Sequence, residues 1–194
     1  MLDHLVYLVT NLPAAMAHFA RLGLDFTPGG RHPERGTHNA VLRLASGSYL
    51  ELLAVDPTTS VPAPRWMGID QPPLPRLSRW AVHARVADFP DRPWQAGQRE
   101  LPNGRQLRWQ LTDPGSAPAT SALPFLIDWG KRGTHPTDLL PEVDVELLDL
   151  HLYTPQATTL NQLLTRLESP YRAIPAVEAH LTATLRGPRG VLQL

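Results

Sequence analysis

The clearest chemical signal in this 194-residue sequence is Glu51, a carboxylate that stands between Leu50 and Leu52. A carboxylate is costly to bury without a partner, so Glu51 either faces solvent or meets a cation, a metal ion or a hydrogen-bond donor. Asp128, in a similarly apolar segment, raises the same question. Both carboxylates therefore need a partner, and Arg108 or His83 would suit Asp128.

The absence of cysteine limits the chemistry available to the chain. Without Cys there are no disulfides, thiolate nucleophiles, zinc–thiolate sites or iron–sulfur clusters, so any metal ion must be held by His, Asp, Glu or an amide oxygen. The sequence also contains no phosphate-binding glycine loop, no His-Glu-x-x-His pair and no Gly-x-Ser-x-Gly motif. Nucleotide enzymes, zincins and α/β-hydrolases are therefore not indicated.

Several other residues have either a role in ligand binding or a purely structural role. His38 and Asn39 lie at the mouth of a predicted hairpin, where a polar pair suits either turn formation or recognition of a substrate. Arg43, on the same hairpin, can form a salt bridge with Glu51 across the two strands. Trp129 is one of several tryptophans that either fill the core or line an apolar pocket.

Charge and hydropathy argue against two classes of partner. The 18 Lys and Arg residues balance 18 Asp and Glu residues, so the chain lacks the basic surface typical of proteins that bind nucleic acid or anionic lipid. No signal-peptide pattern opens the sequence, and no apolar run approaches the roughly 20 residues of a membrane helix. We therefore expect a cytoplasmic protein that uses neither nucleic acid nor a membrane.

The elements that must position these residues begin with a strand, a helix and three strands. The first strand is predicted at residues 2–10, and the helix that follows is capped by Asn11 and ends at Gly23. The three further strands are predicted at residues 26–28, 39–45 and 48–55. The last two form a hairpin that turns at Ser46 and Gly47.

Beyond this unit the sequence predicts a linker and two more units. Six prolines between residues 57 and 75 exclude a helix or a central strand there. The middle unit has strands predicted at residues 79–86, 106–112 (after a turn at Asn103 and Gly104) and 123–129. The final unit has a strand, a helix and two strands predicted at residues 145–153, 158–167, 179–185 and 191–194. The predicted segments are a module of residues 1–56, a linker of residues 57–76, a second β-rich module of residues 77–133 and a C-terminal βαββ unit of residues 134–194.

Several of these segments resemble the glyoxalase-like branch of the vicinal oxygen chelate superfamily, which groups glyoxalases, bleomycin resistance proteins and dioxygenases. The resemblance rests on Leu2-Asp3-His4-Leu5-Val6, Ser48-Tyr49-Leu50-Glu51-Leu52, and the segments at residues 36–40, 79–82 and 124–129. It covers most of residues 2–167. It implies an α+β fold in which βαβββ modules form cupped, mixed antiparallel sheets, followed here by a C-terminal strand-helix-strand unit.

The resemblance also implies a divalent metal held by side chains from four strands; imidazole and carboxylate ligands suit Zn, Mn, Ni or Fe(II). Its positions on the first and last strands of the first module are His4 and Glu51. The third position falls at Ala81, which cannot coordinate a metal, while His83 lies two residues further along the same face. The fourth falls at or beside Asp128, and a shift of one residue decides whether that side chain faces inward.

The implied function is a lyase, isomerase or dioxygenase-type enzyme that acts on a small organic molecule. His4, Glu51 and His83 would bind the metal, and Glu51 or Asp128 would act as the catalytic base. The implied substrate-binding residues are His38, Asn39, Arg43, His83 and Trp129.

Two alternatives remain open on the sequence. One is a metal-free protein of the same fold that binds or sequesters a small molecule, which Ala81 favours. The other is a structural module whose C-terminal unit forms a homodimer. The pairing of the units also matters, because Gln193 takes the place of Asp128 if the first unit pairs with the C-terminal one.

Overall fold

The computed structural model describes residues 1–100, 106–131 and 133–194, and within these ranges the chain forms two sheets and two α-helices. The eight-stranded sheet consists of β1 (Leu2–Leu8), β2 (Thr27–His32), β3 (Thr37–Arg43), β4 (Tyr49–Val55), β5 (Arg76–His83), β6 (Trp94–Glu100), β7 (Gln106–Thr112) and β8 (Phe125–Asp128). The four-stranded sheet consists of β9 (Glu146–Thr154), β10 (Ala173–Pro175), β11 (His180–Gly187) and β12 (Gly190–Gln193). The predicted α+β class with curved, mixed sheets is confirmed.

The eight-stranded sheet has the strand order β2-β3-β4-β1-β5-β8-β7-β6 and curves into a cup. Its central strand, β1, pairs in parallel with β4 and antiparallel with β5. The first unit therefore pairs with the middle unit. Gln193 lies instead on β12, opposite Thr184 in the other sheet.

Two helices of ten residues each, α1 (Leu12–Arg21) and α2 (Ala157–Arg166), follow β1 and β9. The predicted start of α1 is confirmed, because the Asn11 side chain accepts a hydrogen bond from the backbone N–H of Ala14 at 2.9 Å. The predicted stop is confirmed as well, since Gly23 has a φ of +80°, which suits a residue without a side chain. In the described ranges no helix is long and apolar enough to cross a membrane.

The C-terminal unit repeats the strand-helix-strand order of the first unit but not its pairing. In the sheet order β10-β9-β11-β12, the first strand of the unit pairs in parallel with β10, the strand that follows its helix, whereas β1 pairs in parallel with β4. β10 was not predicted, because it is only three residues long and ends in Pro175. One continuous sheet joins the first two modules, and the division at residues 56, 76 and 133 remains our proposal for how the chain is organised.

Two edge strands show where the sequence patterns were misleading. β6 was not predicted at all, because Pro90 and Pro93 precede it and most of its residues are polar. Among the described strands it pairs with β7 alone. β2 is longer than predicted, since Pro28 and the glycines after it suggested a loop, yet an edge strand tolerates both residue types. The predicted turn at Asn103 and Gly104 lies outside the described residues.

The two faces of the eight-stranded sheet have different surroundings. On the convex face, Leu5, Leu50 and Leu52 are fully buried and belong to a core that includes residues of α1, α2 and the C-terminal sheet. Because side chains alternate along a strand, His4 and Glu51 on the same strands point into the cup. The C-terminal unit therefore packs against the convex face of the cup.

Segments of the chain itself fill part of the cup. Met67, from the proline-rich segment, is buried against the inner face, and Ser78 Oγ donates a hydrogen bond to its carbonyl. Arg79 is also buried, and its guanidinium donates to the carbonyls of Pro118 at 2.6 Å and Ala119 at 3.3 Å. Burial lowers the pKa of Arg79 to about 10, so it remains charged at neutral pH. These contacts leave space for a ligand in the region around His4.

Candidate functional site

A pocket of about 420 Å³, its open mouth included, lies on the inner face of the cup. Its polar side chains are those of His4, His32, Asn39, Glu51 and Arg99. The rest of its wall consists of Val41, Tyr49, Trp66, Met67, Trp109, Leu111, Phe125, Ile127 and Trp129. A mostly apolar wall with a few converging polar groups is the usual form of a small-molecule site.

Glu51 is the buried carboxylate of this pocket, with 6% of its surface exposed. The Asn39 amide Nδ2 donates a hydrogen bond to Oε1 at 2.5 Å, and Oε2 lies 3.8 Å from Nε2 of His4. The hydrogen-bond donor that a buried Glu51 requires is therefore the Asn39 amide, which binds Oε1, while the His4 imidazole lies near Oε2.

The predicted salt bridge between Arg43 and Glu51 is wrong. In the register of β3 against β4, Arg43 stands opposite Tyr49, two pairs away from Glu51, which stands opposite Val41. Its guanidinium instead donates to the Thr137 carbonyl at 3.3 Å and lies 3.7 Å from the carboxylate of Glu142. Arg43 thus holds the loop after β8 rather than the pocket carboxylate.

His4 is fixed by contacts on its ring face and on its outer nitrogen. Its ring stacks on Tyr49 with centroids 4.5 Å apart, and Nδ1 lies 2.6 Å from Oδ1 of Asp3. Because the acceptor is a carboxylate, the Nδ1 atom carries the proton and donates a hydrogen bond to Asp3. Nε2 is then the nitrogen that faces Glu51 and the pocket.

Asp3 is buried behind His4 and collects three donors. Besides His4, its carboxylate accepts from Nε1 of Trp129 at 2.9 Å and from Nε2 of His135 at 3.3 Å. Burial alone would raise the pKa of Asp3, but the hydrogen bonds and charges of His135 and His4 hold it well below its ordinary value. Asp3 therefore remains ionised and orients His4, as a carboxylate behind a functional histidine does.

Of the residues predicted to form the site, the structure brings four together. His4, Asn39, Glu51 and Trp129 all line the pocket. His38 does not, since it alternates with Asn39 along β3 and faces the convex side, opposite Ala54.

His83 and Asp128 also lie outside the pocket. The His83 side chain is 50% exposed, its Nδ1 is 3.9 Å from Oδ2 of Asp3, and it is absent from the pocket wall. Asp128 accepts hydrogen bonds from the backbone N–H groups of Val86 at 2.8 Å and Gly130 at 2.7 Å, while its neighbour Ile127 lines the pocket. The Asp128 carboxylate therefore holds the ends of loops.

Four polar residues of the site were not predicted from the sequence: Asp3, His32, Arg99 and His135. Alternation along β1 predicts that Asp3 and His4 point to opposite faces, but the register of β1 against β5 shifts between Leu2 and His4, and Oδ1 of Asp3 lies 2.6 Å from the His4 ring. Burial lowers the pKa of His32 to about 4, so this histidine is neutral at pH 7. Arg99 was not predicted because it lies on β6, a strand that the sequence did not indicate.

The polar groups of the pocket do not fit a resident divalent ion. His4 and Glu51 could supply two ligands, but zinc and iron sites in proteins draw on at least three protein side chains. Phe125 and Ile127, which also line the pocket, have no side-chain atom that can bind a metal ion. The predicted third ligand, His83, lies outside the pocket. In the described part of the chain no three His, Asp or Glu side chains are grouped for metal binding.

A family model described as a glyoxalase-like domain matches residues 2–168. The chain therefore belongs to the glyoxalase-like domain family of the vicinal oxygen chelate superfamily, as its sequence motifs indicated. No curated protein matches the chain.

Solved structures resemble the chain at low sequence identity. A hypothetical protein from Staphylococcus aureus is 12% identical, with a TM-score of 0.66, over 99% of this chain and 97% of that one. Methylmalonyl-CoA epimerase from Mycobacterium tuberculosis is 19% identical, with a TM-score of 0.45, over 66% of this chain and 86% of that one. The match to the first structure covers the C-terminal unit as well as the cup.

We expect Asp3→Asn to lower the free energy of unfolding by about 2–4 kcal/mol at pH 7, because three donors lose a buried charged acceptor. The lowered pKa of Asp3 means that its ionised form stabilises the fold above the ordinary value of 3.8, and that this contribution is lost as the pH falls further. Urea unfolding at pH 7, 5 and 3 should therefore show a deficit in the variant that shrinks only at the lowest pH. Exposed Asp149→Asn serves as the control. A deficit that grows on acidification would contradict this account of Asp3.

Proposed function

We propose that the protein binds a small organic molecule in the pocket and moves a proton on it, as a lyase or isomerase does. The observation that carries the proposal is the buried carboxylate of Glu51, one oxygen of which lies 3.8 Å from Nε2 of His4 inside a mostly apolar pocket. A carboxylate and an imidazole so placed form an acid–base pair.

The two atoms of this pair have distinct surroundings. Asn39 occupies Oε1 of Glu51, so Oε2 is the oxygen with lone pairs free to take a proton from a ligand. Asp3 retains the Nδ1 proton of His4, so Nε2 can accept a proton or return one. Glu51 is therefore the proposed base, and His4 is its partner in proton transfer.

The apolar wall supports this chemistry by limiting water around the pair. Charges interact more strongly where water is excluded, so a proton transfer between Glu51 and a ligand gains from aromatic walls. Trp129 and Asn39 are the proposed substrate contacts. His38, Arg43, His83 and Asp128, which lie elsewhere, have no part in the proposed step.

The proposed proton transfer uses side chains alone, although the family resemblance predicts Zn, Mn, Ni or Fe(II). Because His4 and Glu51 offer only two ligands, we expect protein purified without chelator to hold less than about a tenth of an equivalent of these metals. Adding them should leave the melting temperature unchanged, since a site-bound ion stabilises a protein by mass action. Stoichiometric metal that is lost in Glu51→Gln would contradict this expectation and favour metal-dependent chemistry of the dioxygenase type.

A binding or sequestering protein without catalysis is the second candidate. The observation that favours it is the aromatic wall together with Ala81, which stands where the family resemblance expects a ligand. This candidate shares the pocket and its ligand but not the proton transfer. A homodimer and a cytoplasmic location remain predictions that accompany either candidate.

Deuterium exchange tests the proposed function. A panel of small carbonyl compounds and carboxylic acids with a C–H bond beside the carbonyl is incubated with the protein in D₂O and followed by proton NMR. We expect the wild type to exchange that hydrogen in at least one member and Glu51→Gln to do so about 10²–10⁴-fold more slowly.

The control is Glu146→Gln, which removes a carboxylate from an exposed ion pair with Arg186 on the C-terminal sheet. It should exchange at the wild-type rate. Equal rates in wild type and Glu51→Gln would contradict the assignment of the base, whereas ligand binding without any exchange would favour the sequestering candidate.

A further inference from the structure

Arg99 is the one lysine or arginine among the described residues that line the pocket. Its Nη1 donates a hydrogen bond to Oδ1 of Asn39 at 3.1 Å, and Nδ2 of the same amide donates to Glu51. Asn39 thus stands between the guanidinium and the proposed base. A ligand that touches Arg99 is therefore positioned within reach of Glu51.

Arg31 and Arg35, near the same end of the cup, each lie beside a carboxylate, whereas Arg99 lies beside an amide. Arg35 lies 2.8 Å from Asp113, and Arg31 lies 3.5 Å from Asp56. Within the described side chains, Arg99 forms no such ion pair and meets the neutral amide of Asn39. A guanidinium carries five N–H donors in a planar fork, which is the geometry that recognises a carboxylate.

The fold holds Arg99 in this position by closing the cup. Its strand, β6, is one edge of the eight-stranded sheet, and it contacts β2, the opposite edge. Gly29 on β2 permits the approach, because a Cβ atom there would lie 2.8 Å from Nη1 of Arg99 and would also collide with Asn39. The arginine therefore enters the pocket through a gap that a larger residue would fill.

We propose that the ligand is a small carboxylate with an apolar body, whose carboxylate binds the Arg99 guanidinium and whose body lies against Trp66, Trp109 and Trp129. This proposal rests on the proposed function in placing the ligand beside Glu51, and it adds the chemical class. The charges agree with it: His32 is neutral at pH 7, and Glu51 is kept from Arg99 by Asn39, so the guanidinium is available to an anion.

The experiment compares 3-phenylpropanoate with its neutral amide, 3-phenylpropanamide, by isothermal titration calorimetry. We expect the wild type to bind the carboxylate at least about tenfold more tightly, because hydrogen bonds between charged groups are the stronger ones. Arg99→Met should abolish this preference and leave the affinity for the amide within about twofold. Arg108→Met, which removes an exposed arginine from the neighbouring strand, should keep the preference.

A preference that survives in Arg99→Met, equal affinity of the wild type for both compounds, or binding of neither would overturn the proposal. If Arg99→Met does not fold, Arg99→Lys decides, because lysine keeps the charge without the planar fork. We then expect at least a threefold loss for the carboxylate and none for the amide, and unchanged affinities would overturn the proposal.

Failure of this proposal is distinguishable from failure of the proposed function. If Glu51→Gln keeps the carboxylate preference and the wild type exchanges no hydrogen, the ligand class stands and the proton transfer fails. If the wild type exchanges hydrogen but binds 3-phenylpropanoate and its amide equally tightly, the proton transfer stands and the ligand class fails.

Discussion

The burial of one carboxylate, Glu51, is the constraint on which the rest of the site depends. A carboxylate inside an apolar cup needs a polar partner from the protein, and here the Asn39 amide donates a hydrogen bond to one oxygen while the His4 ring lies 3.8 Å from the other. Each of these groups is itself held: Asn39 by Arg99, and His4 by Asp3. A single line of polar contacts therefore joins strands from both halves of the cup.

The remaining architecture keeps this line in place. On the convex side, the C-terminal unit and α1 bury the leucines that alternate with His4 and Glu51. This packing fixes which face of each strand points into the cup. On the concave side, the proline-rich segment, held by Arg79 and Ser78, occupies part of the cup and leaves a small pocket. A site built on central strands that are packed on both faces is well suited to hold reacting groups in a fixed geometry.

The sequence predicted the parts of the site that follow from burial and alternation. Glu51 stood out because a carboxylate in an apolar strand needs a partner, and His4 followed from the resemblance to the family. His38 and Asn39 were both predicted to bind substrate, although alternation along a strand allows only one of them to face the pocket, and in the structure this is Asn39. Asp3 was beyond such reasoning because it depends on a register shift, and Arg99 because its strand follows two prolines and carries few apolar residues. Contacts between the two edges of a closed sheet leave no local pattern in the chain.

The protonation of His4 is the most direct measure of whether this line of contacts works as an acid–base pair. Two-dimensional ¹⁵N NMR of the imidazole distinguishes a proton on Nδ1 from one on Nε2. If Asp3 holds the Nδ1 proton, the neutral ring of His4 will be protonated at Nδ1, with Nε2 bare toward Glu51, and Asp3→Asn will remove this preference. A neutral ring protonated at Nε2, with a bare Nδ1, would contradict the assignment of Glu51 and His4 as the proton-transfer pair.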